Sequence, residues 1–457
     1  MRRDVCWWKI CILAGLCVCG LVLPATAQQG GGGPGGGGGG GGGQLPGGIL
    51  IRADGLIDRA VAAPISAAAM RQRRQQAQKT LPESLRKSAE RRSVSLRRLD
   101  AELSRLLTMS KPLPPEILFL AGLTRIDDIV FDAAGDLVIS GPAESFAPAA
   151  GGRLTGLDSG RPVLCLEDLL TALRAPEILE RCGCSIDPDP QRLAESQAWL
   201  RANATPATLQ VAQARMEQMI RLMGRWNVTT FGVPEDSRMS LSMVEADYLM
   251  KRLAIGVERA GVGGLKSTLQ LAKPGDNMMR RWWFAADPGY LSCSEDRSLW
   301  LLDGPRFQLL AQEELMAADG TLIDAENLEG SSEEFARLFN ERRAELVKKH
   351  AALADLQNIF DVLVTAGLLR EALEAGRLTW APEVLTSDTL LTSAGYAVPR
   401  ETLPLLNTRQ SPGGPLIGAF SGGVVLRVRG LLSEARAIVR ESGSGEAAFG
   451  EGEWWAE

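Results

Sequence analysis

ILFLAGLTRIDDIVFDAAGDLVISGP, residues 117–142, is the stretch whose reading decides the fold. It opens with a helix-like apolar start and continues in two apolar runs of strand length, 125–131 and 137–140. Between them lies Asp132-Ala133-Ala134-Gly135-Asp136, a Gly-containing connection of hairpin type. The unit is a core nucleus and carries no catalytic chemistry.

Toward the C-terminus the chain alternates. Residues 160–163 lead into a helix at 166–174, a short strand at 184–186 precedes helix signals over 187–200, and a further helix spans 208–223. Residues 228–233 are strand-like and 240–255 are helical. Such alternation predicts an α/β (α+β mixed) class, a mixed sheet with packed helices. Four short strands at 281–284, 290–292, 299–302 and 307–310 are separated by Asp-Pro-Gly, Ser-Glu-Asp and Asp-Gly-Pro turns, which suggests an antiparallel meander. Leucine at helical spacing makes 333–373 a helical hairpin or bundle piece, and weak strands follow, notably 423–428. Residues 441–457 turn Gly-rich and acidic and end Trp454-Trp455-Ala456-Glu457. They read as a disordered tail whose Trp pair is a candidate docking peptide.

Toward the N-terminus the first 27 residues read as a signal peptide. Arg2, Arg3 and Lys9 are its positive region, 10–23 its apolar run, and Ala25-Thr26-Ala27 the small residues before cleavage. The run falls short of the roughly 20 residues that span a bilayer, and no later segment is expected to reach that length. Residues 28–48 are a Gly-rich flexible linker. A short hairpin with an Asp54-Gly55 turn then opens a segment, 49–110, that is strongly basic between Arg71 and Arg105. Leu96, Leu99, Leu103 and Leu106 place an amphipathic helix there with a basic outer face, either solvated or set against an anionic envelope polymer. Residues 111–310 form the α/β core with its meander, 311–440 the helical segment and closing strands, and 441–457 the tail.

The 457 residues, 45% of them hydrophobic, suffice for a large core. A net charge of −5, more negative once the basic leader is removed, argues against general nucleic-acid binding. Gly261-Val262-Gly263-Gly264-Leu265-Lys266-Ser267-Thr268 resembles a phosphate-binding loop but has Leu265 where Gly must precede the Lys, so no nucleotide is expected. Cys165, Cys182, Cys184 and Cys293 remain after cleavage; a Cys165 to Cys182 bridge and buried free thiols are the two readings. A single histidine, His350, stands in a charged stretch and reads as a solvated residue. Its isolation removes most histidine-dependent catalysis and metal binding, and no cofactor is expected.

Carboxylate chemistry is what remains. Glu245 in MVEADYLMKRL is the one weak catalytic candidate, sharing a helix face with Tyr248, while Asp247 and Lys251 are spaced for an i,i+4 ion pair. Arg281 and Trp283 could stack on a sugar or grip a peptide; strand alternation buries Trp282 and Phe284 instead.

AGLTRIDDIVFDAAGDLVISGPAE, GRPVLCLEDLLTALR, CSIDPDP, FGVPEDS and VEADYLMKRL, taken in order, resemble a family of secreted planctomycete proteins classed only as a domain of unknown function. The resemblance implies an exported protein and supplies no catalytic residues. Two function classes follow: a non-catalytic envelope or periplasmic binding module with an envelope protein or polymer as partner, and a carboxylate-dependent hydrolase acting on an envelope polymer.

Overall fold

The computed structural model describes residues 49–51, 57–59, 66–149, 153–203, 208–273, 279–316, 322–324, 330–388, 395–411, 414–439 and 447–457. The leader expected at 1–27 and the Gly-rich arm at 28–48 lie outside them.

Strands β1 (Ile49–Ile51) and β2 (Ile57–Arg59) pair antiparallel, with Ile51 opposite Ile57. Helix α1 (Ala67–Thr80) and strand β3 (Ala89–Ser95) lead into α2 (Leu96–Thr108), where the Ser95 hydroxyl accepts from Arg98 N and Leu96, Leu99, Leu103 and Leu106 are buried. The basic segment is not one outward face. Arg73 and Arg92 are buried, and Arg73 donates to Ala147 O at 2.8 Å and Thr155 Oγ1 at 2.6 Å. Acids within the fold claim others: Arg91 meets Asp128, and Arg105 meets Glu102 at 2.6 Å. Part of what reads as a charged strip is thus engaged within the fold, while α2 keeps Arg105 outward as its basic face requires.

After α3 (Pro115–Leu118), strands β4 (Asp128–Phe131) and β5 (Leu137–Ala143) form the hairpin read from 117–142, closing with Phe131 opposite Leu137. A second hairpin joins β6 (Phe146–Pro148) to β7 (Leu154–Gly156). Helix α4 (Leu166–Arg174), strand β8 (Cys182–Asp187), helices α5 (Pro190–Ala202) and α6 (Leu209–Met223), strand β9 (Trp226–Phe231) and helix α7 (Arg238–Ala254) follow close to the expected places. Their starts are written in the sequence, since Asp189, Thr208 and Ser237 each accept a backbone N–H as N-caps of α5, α6 and α7. The phosphate-loop-like residues end in a single helical turn, α8 (Thr268–Leu271), closed by a Ser267–Gln270 capping box.

The meander requires correction. Strands β10 (Met279–Ala286), β11 (Leu291–Ser294), β12 (Leu299–Leu302) and β13 (Phe307–Met316) are present, but β10 pairs β13 and β11 pairs β12, in two different sheets. The Asp-Pro-Gly and Asp-Gly-Pro segments are passages between sheets rather than hairpin turns. They run side by side, Asp287 N donating to Arg306 O at 3.1 Å and Asp303 N to Tyr290 O at 2.9 Å. Strand β14 (Leu322–Asp324) extends the first pair.

Helices α9 (Ser331–Glu341), α10 (Arg343–Lys349) and α11 (Ala351–Glu374) come next, then α12 (Glu383–Thr386), strands β15 (Glu401–Thr402), β16 (Leu406–Ser411) and β17 (Gly414–Leu426), helix α13 (Val428–Ser433), and strands β18 (Arg436–Ile438) and β19 (Trp455–Ala456). Helix α11 packs on α4, α7, α10 and α13. Contrary to expectation it is long and apolar enough to cross a membrane, but its apolar window is 100% buried inside the fold, as a core helix would be.

Among the described residues an eight-stranded sheet runs β14-β13-β10-β17-β8-β9-β15 with β16 beside β17, and a seven-stranded sheet runs β18-β11-β12-β4-β5-β3-β19. Both are mixed, with β10–β17 and β11–β18 as parallel pairs. The closing strand read as weak is central. Its glycines are what fit it between β10 and β8, since a Cβ at Gly422 would lie 1.9 Å from Trp282 O and one at Gly423 1.8 Å from Cys184 O. The terminal segment is also corrected: β19 pairs with β3 and Trp454 is buried, so residues 447–457 are docked. One apolar cluster extends from Ala77 to Trp454 and draws on the segments 49–110, 111–310 and 311–440 alike.

Candidate functional site

The first turns of α4 and α7 and the start of α11 meet around a buried set of charges. Arg238, the first residue of α7, donates through Nε to both Asp168 oxygens at 3.0 Å and through Nη1 to Asp355 at 3.1 and 3.2 Å. A cation in the first turn of a helix opposes the helix dipole, so Arg238 is held there by the two carboxylates it bridges. Asp168, in the first turn of α4, sits where the dipole favours an anion. Arg153, just before β7, completes the set: its guanidinium grips both Glu245 oxygens, and Nε donates to Asp355 at 3.3 Å. Ser242 Oγ adds a hydrogen bond to Asp355 Oδ2 at 2.8 Å.

Two guanidinium groups therefore serve three carboxylates. Burial pushes the Asp168 carboxyl up despite Arg238. Burial acts likewise on Asp355, but Arg238, Arg153 and Ser242 outweigh it and hold that carboxyl below its ordinary value. Asp355 is the ionised hub of the network.

Glu245 is thus a member of an arginine-paired network. Its carboxylate is seated against the Arg153 guanidinium. Tyr248 is buried one turn away, with the Arg252 guanidinium over its ring at 5.6 Å.

On the other side of α7, about 200° round the helix axis, the expected Asp247–Lys251 pair forms fully buried. Lys251 Nζ also donates to Gly422 O at 2.9 Å. Burial raises the Asp247 carboxyl to about 6, with Lys251 pulling it back down. Arg281 lies nearby, pairing with Asp187 at 3.3 Å and standing over the Trp283 ring at 4.6 Å. Trp282 and Phe284 are buried as the strand alternation requires, while Arg281 and Trp283 are half-buried. Glu245 and Arg281 therefore belong to separate networks on opposite faces of α7, and the fold does not bring them to one cleft.

Cys165, Cys182, Cys184 and Cys293 are all free, so the expected Cys165 to Cys182 bridge is not formed. Cys182 sits in β8 inside the apolar core, whereas Cys165 is the residue before α4 beside the ion network. Burial raises the Cys165 and Cys182 thiols to about 12. His350, expected in solvent, is buried at the start of α11 with Nε2 2.8 Å from Ala260 O. The charges flanking it in sequence misled, because the kink between α10 and α11 turns the ring inward.

Sequence reasoning missed Arg153, Asp168, Arg238 and Asp355. A signal existed for Asp355 and Asp361, two carboxylates within the apolar run LADLQNIFDVLV. Asp361 is the counterpart on the sheet side, accepting from Arg306 Nε at 2.7 Å and from Ile126 N at 3.0 Å.

Residues 184–267, from β8 through α7 and on to the residue that caps α8, match the family described as "Protein of unknown function (DUF1598)". The matched region contains Arg238, Ser242, Glu245, Asp247 and Lys251. No curated protein matches the chain, and no solved structure does.

Proposed function

We propose that this chain is a non-catalytic interaction module of the cell envelope or periplasm, whose partner is an envelope protein or polymer. The observation that carries the reading is the pairing of Glu245 with Arg153 inside a network that also engages Asp355, Arg238 and Asp168. Charges arranged this way fix helices relative to one another. Each carboxylate in the network is held by an arginine. The hydrolase reading depended on Glu245 acting beside Arg281 or Trp283, and nothing in their placement favours it.

Export rests on Arg2, Arg3 and Lys9, the apolar run and the Ala25-Thr26-Ala27 site. A pull-down from isolated cell envelopes with leaderless protein tests the assignment. Saturable retention of one protein or polymer without turnover is the expected result. Release of soluble fragments from that polymer, abolished by Glu245→Gln in a folded variant, would replace the binding module with an enzyme.

A further inference from the structure

The outer edge of β3 carries the features of a peptide-recognition site, and the chain itself fills it. Trp455 stands opposite Val94 and Ala456 opposite Ser93, and Ser95 N donates to Trp454 O at 3.0 Å. This is strand addition to a sheet edge. Side chains supply the selectivity. Trp454 is sunk into the main apolar cluster, and the Arg92 guanidinium lies over the Trp455 ring at 4.7 Å while pairing with the Glu457 carboxylate. Arg98 donates to Gly450 O at 2.8 Å and Glu453 O at 3.0 Å and stands over the Phe449 ring at 5.0 Å. The backbone pairing and the arginine contacts fall within residues 92–98, a short piece of β3 and α2, while Trp454 joins the main apolar cluster. A buried tryptophan flanked by arginines is the usual energetic centre of a protein interface.

We propose that the β3 edge from Arg92 to Arg98 is a docking site for an acidic, tryptophan-bearing strand, and that the same segment of a second copy of this chain can replace residues 449–457 there. Reciprocal exchange forms every contact twice and closes a two-fold dimer without any new surface. The chain's own segment competes for the same edge from within the molecule, so exchange requires high protein concentration. The proposal deepens the interaction-module reading and rests on it only for its biological use. Peptide uptake is measured on purified protein, so its failure and the failure of the envelope pull-down are separate results.

The test severs the tether in the full chain. A protease site placed between residues 439 and 447 is cut after purification, and a fluorescent peptide of residues 447–457 is titrated in. The cut segment stays associated, and the labelled peptide replaces it saturably. A peptide carrying Trp454→Ala binds at least about tenfold more weakly, and uncut protein takes up the label correspondingly poorly. Mixed dimers form when two differently tagged uncut chains are concentrated together and then separated by size. Equal binding of the Trp454→Ala peptide, or no uptake by cut protein, overturns the site. Peptide uptake without mixed dimers overturns the second copy as its occupant.

Discussion

Lys251 lies one turn along α7 from Asp247, fully buried with it, and divides its donors between that carboxylate and the Gly422 carbonyl oxygen 2.9 Å away. The pair fastens the helix to the central strand of the larger sheet. Removing one partner leaves a buried charge uncompensated, which costs about 3–5 kcal/mol. Lys251→Met should lower stability by that amount in urea denaturation. The double variant Asp247→Leu with Lys251→Met should recover most of the loss, because two apolar groups leave nothing to solvate.

Asp247 also sets a pH dependence. Its carboxyl is raised to about 6 by burial, above its value in an unfolded chain. The folded state therefore binds the proton more tightly, and the stabilisation is fully present below about pH 4 and is lost as pH rises through the folded value. Denaturation midpoints compared with those of the double variant should show this contribution falling between those limits.

His350 contributes with the opposite sign. Burial lowers its pKa below 6.5, against the opposing pull of its bond to Ala260 O and of Glu258, and with Lys349 adding to the lowering. Its contribution is present above 6.5 and is lost as pH falls through the folded-state value. His350→Gln should flatten the acid side of the stability profile. A variant with an unchanged profile would put the ring back in solvent.

Cys165 and Cys182 are free thiols, both raised to about 12 by burial. Protein purified without reductant should resist alkylation at these positions when folded and accept it at both in denaturant. Peptide mapping that finds them crosslinked would restore the bridge read from the sequence.

Much of the architecture was legible because local rules suffice for it. The 117–142 hairpin, the helices near 187–200, 208–223 and 240–255, the leucines of α2 and the Asp247–Lys251 spacing depend on neighbours a few residues apart. What was not legible depends on distance along the chain. The passage of β10 into β11 from one sheet to the other follows from bonds between Asp287 and Arg306 and between Asp303 and Tyr290. The docking of residues 449–457 depends on Arg92 and Arg98, more than 350 positions earlier. The ion network joins Arg153, Asp168, Arg238 and Asp355 from four separate stretches of chain, and only the carboxylates inside α11 betrayed it.

The central claim is that Glu245 is a structural partner of Arg153 and no catalyst. Urea denaturation of Glu245→Gln tests it most directly. Loss of the charged pair within a buried network predicts a decrease of about 1–3 kcal/mol in unfolding free energy. Stability equal to that of the unaltered protein would contradict the claim and return Glu245 to the search for a reaction.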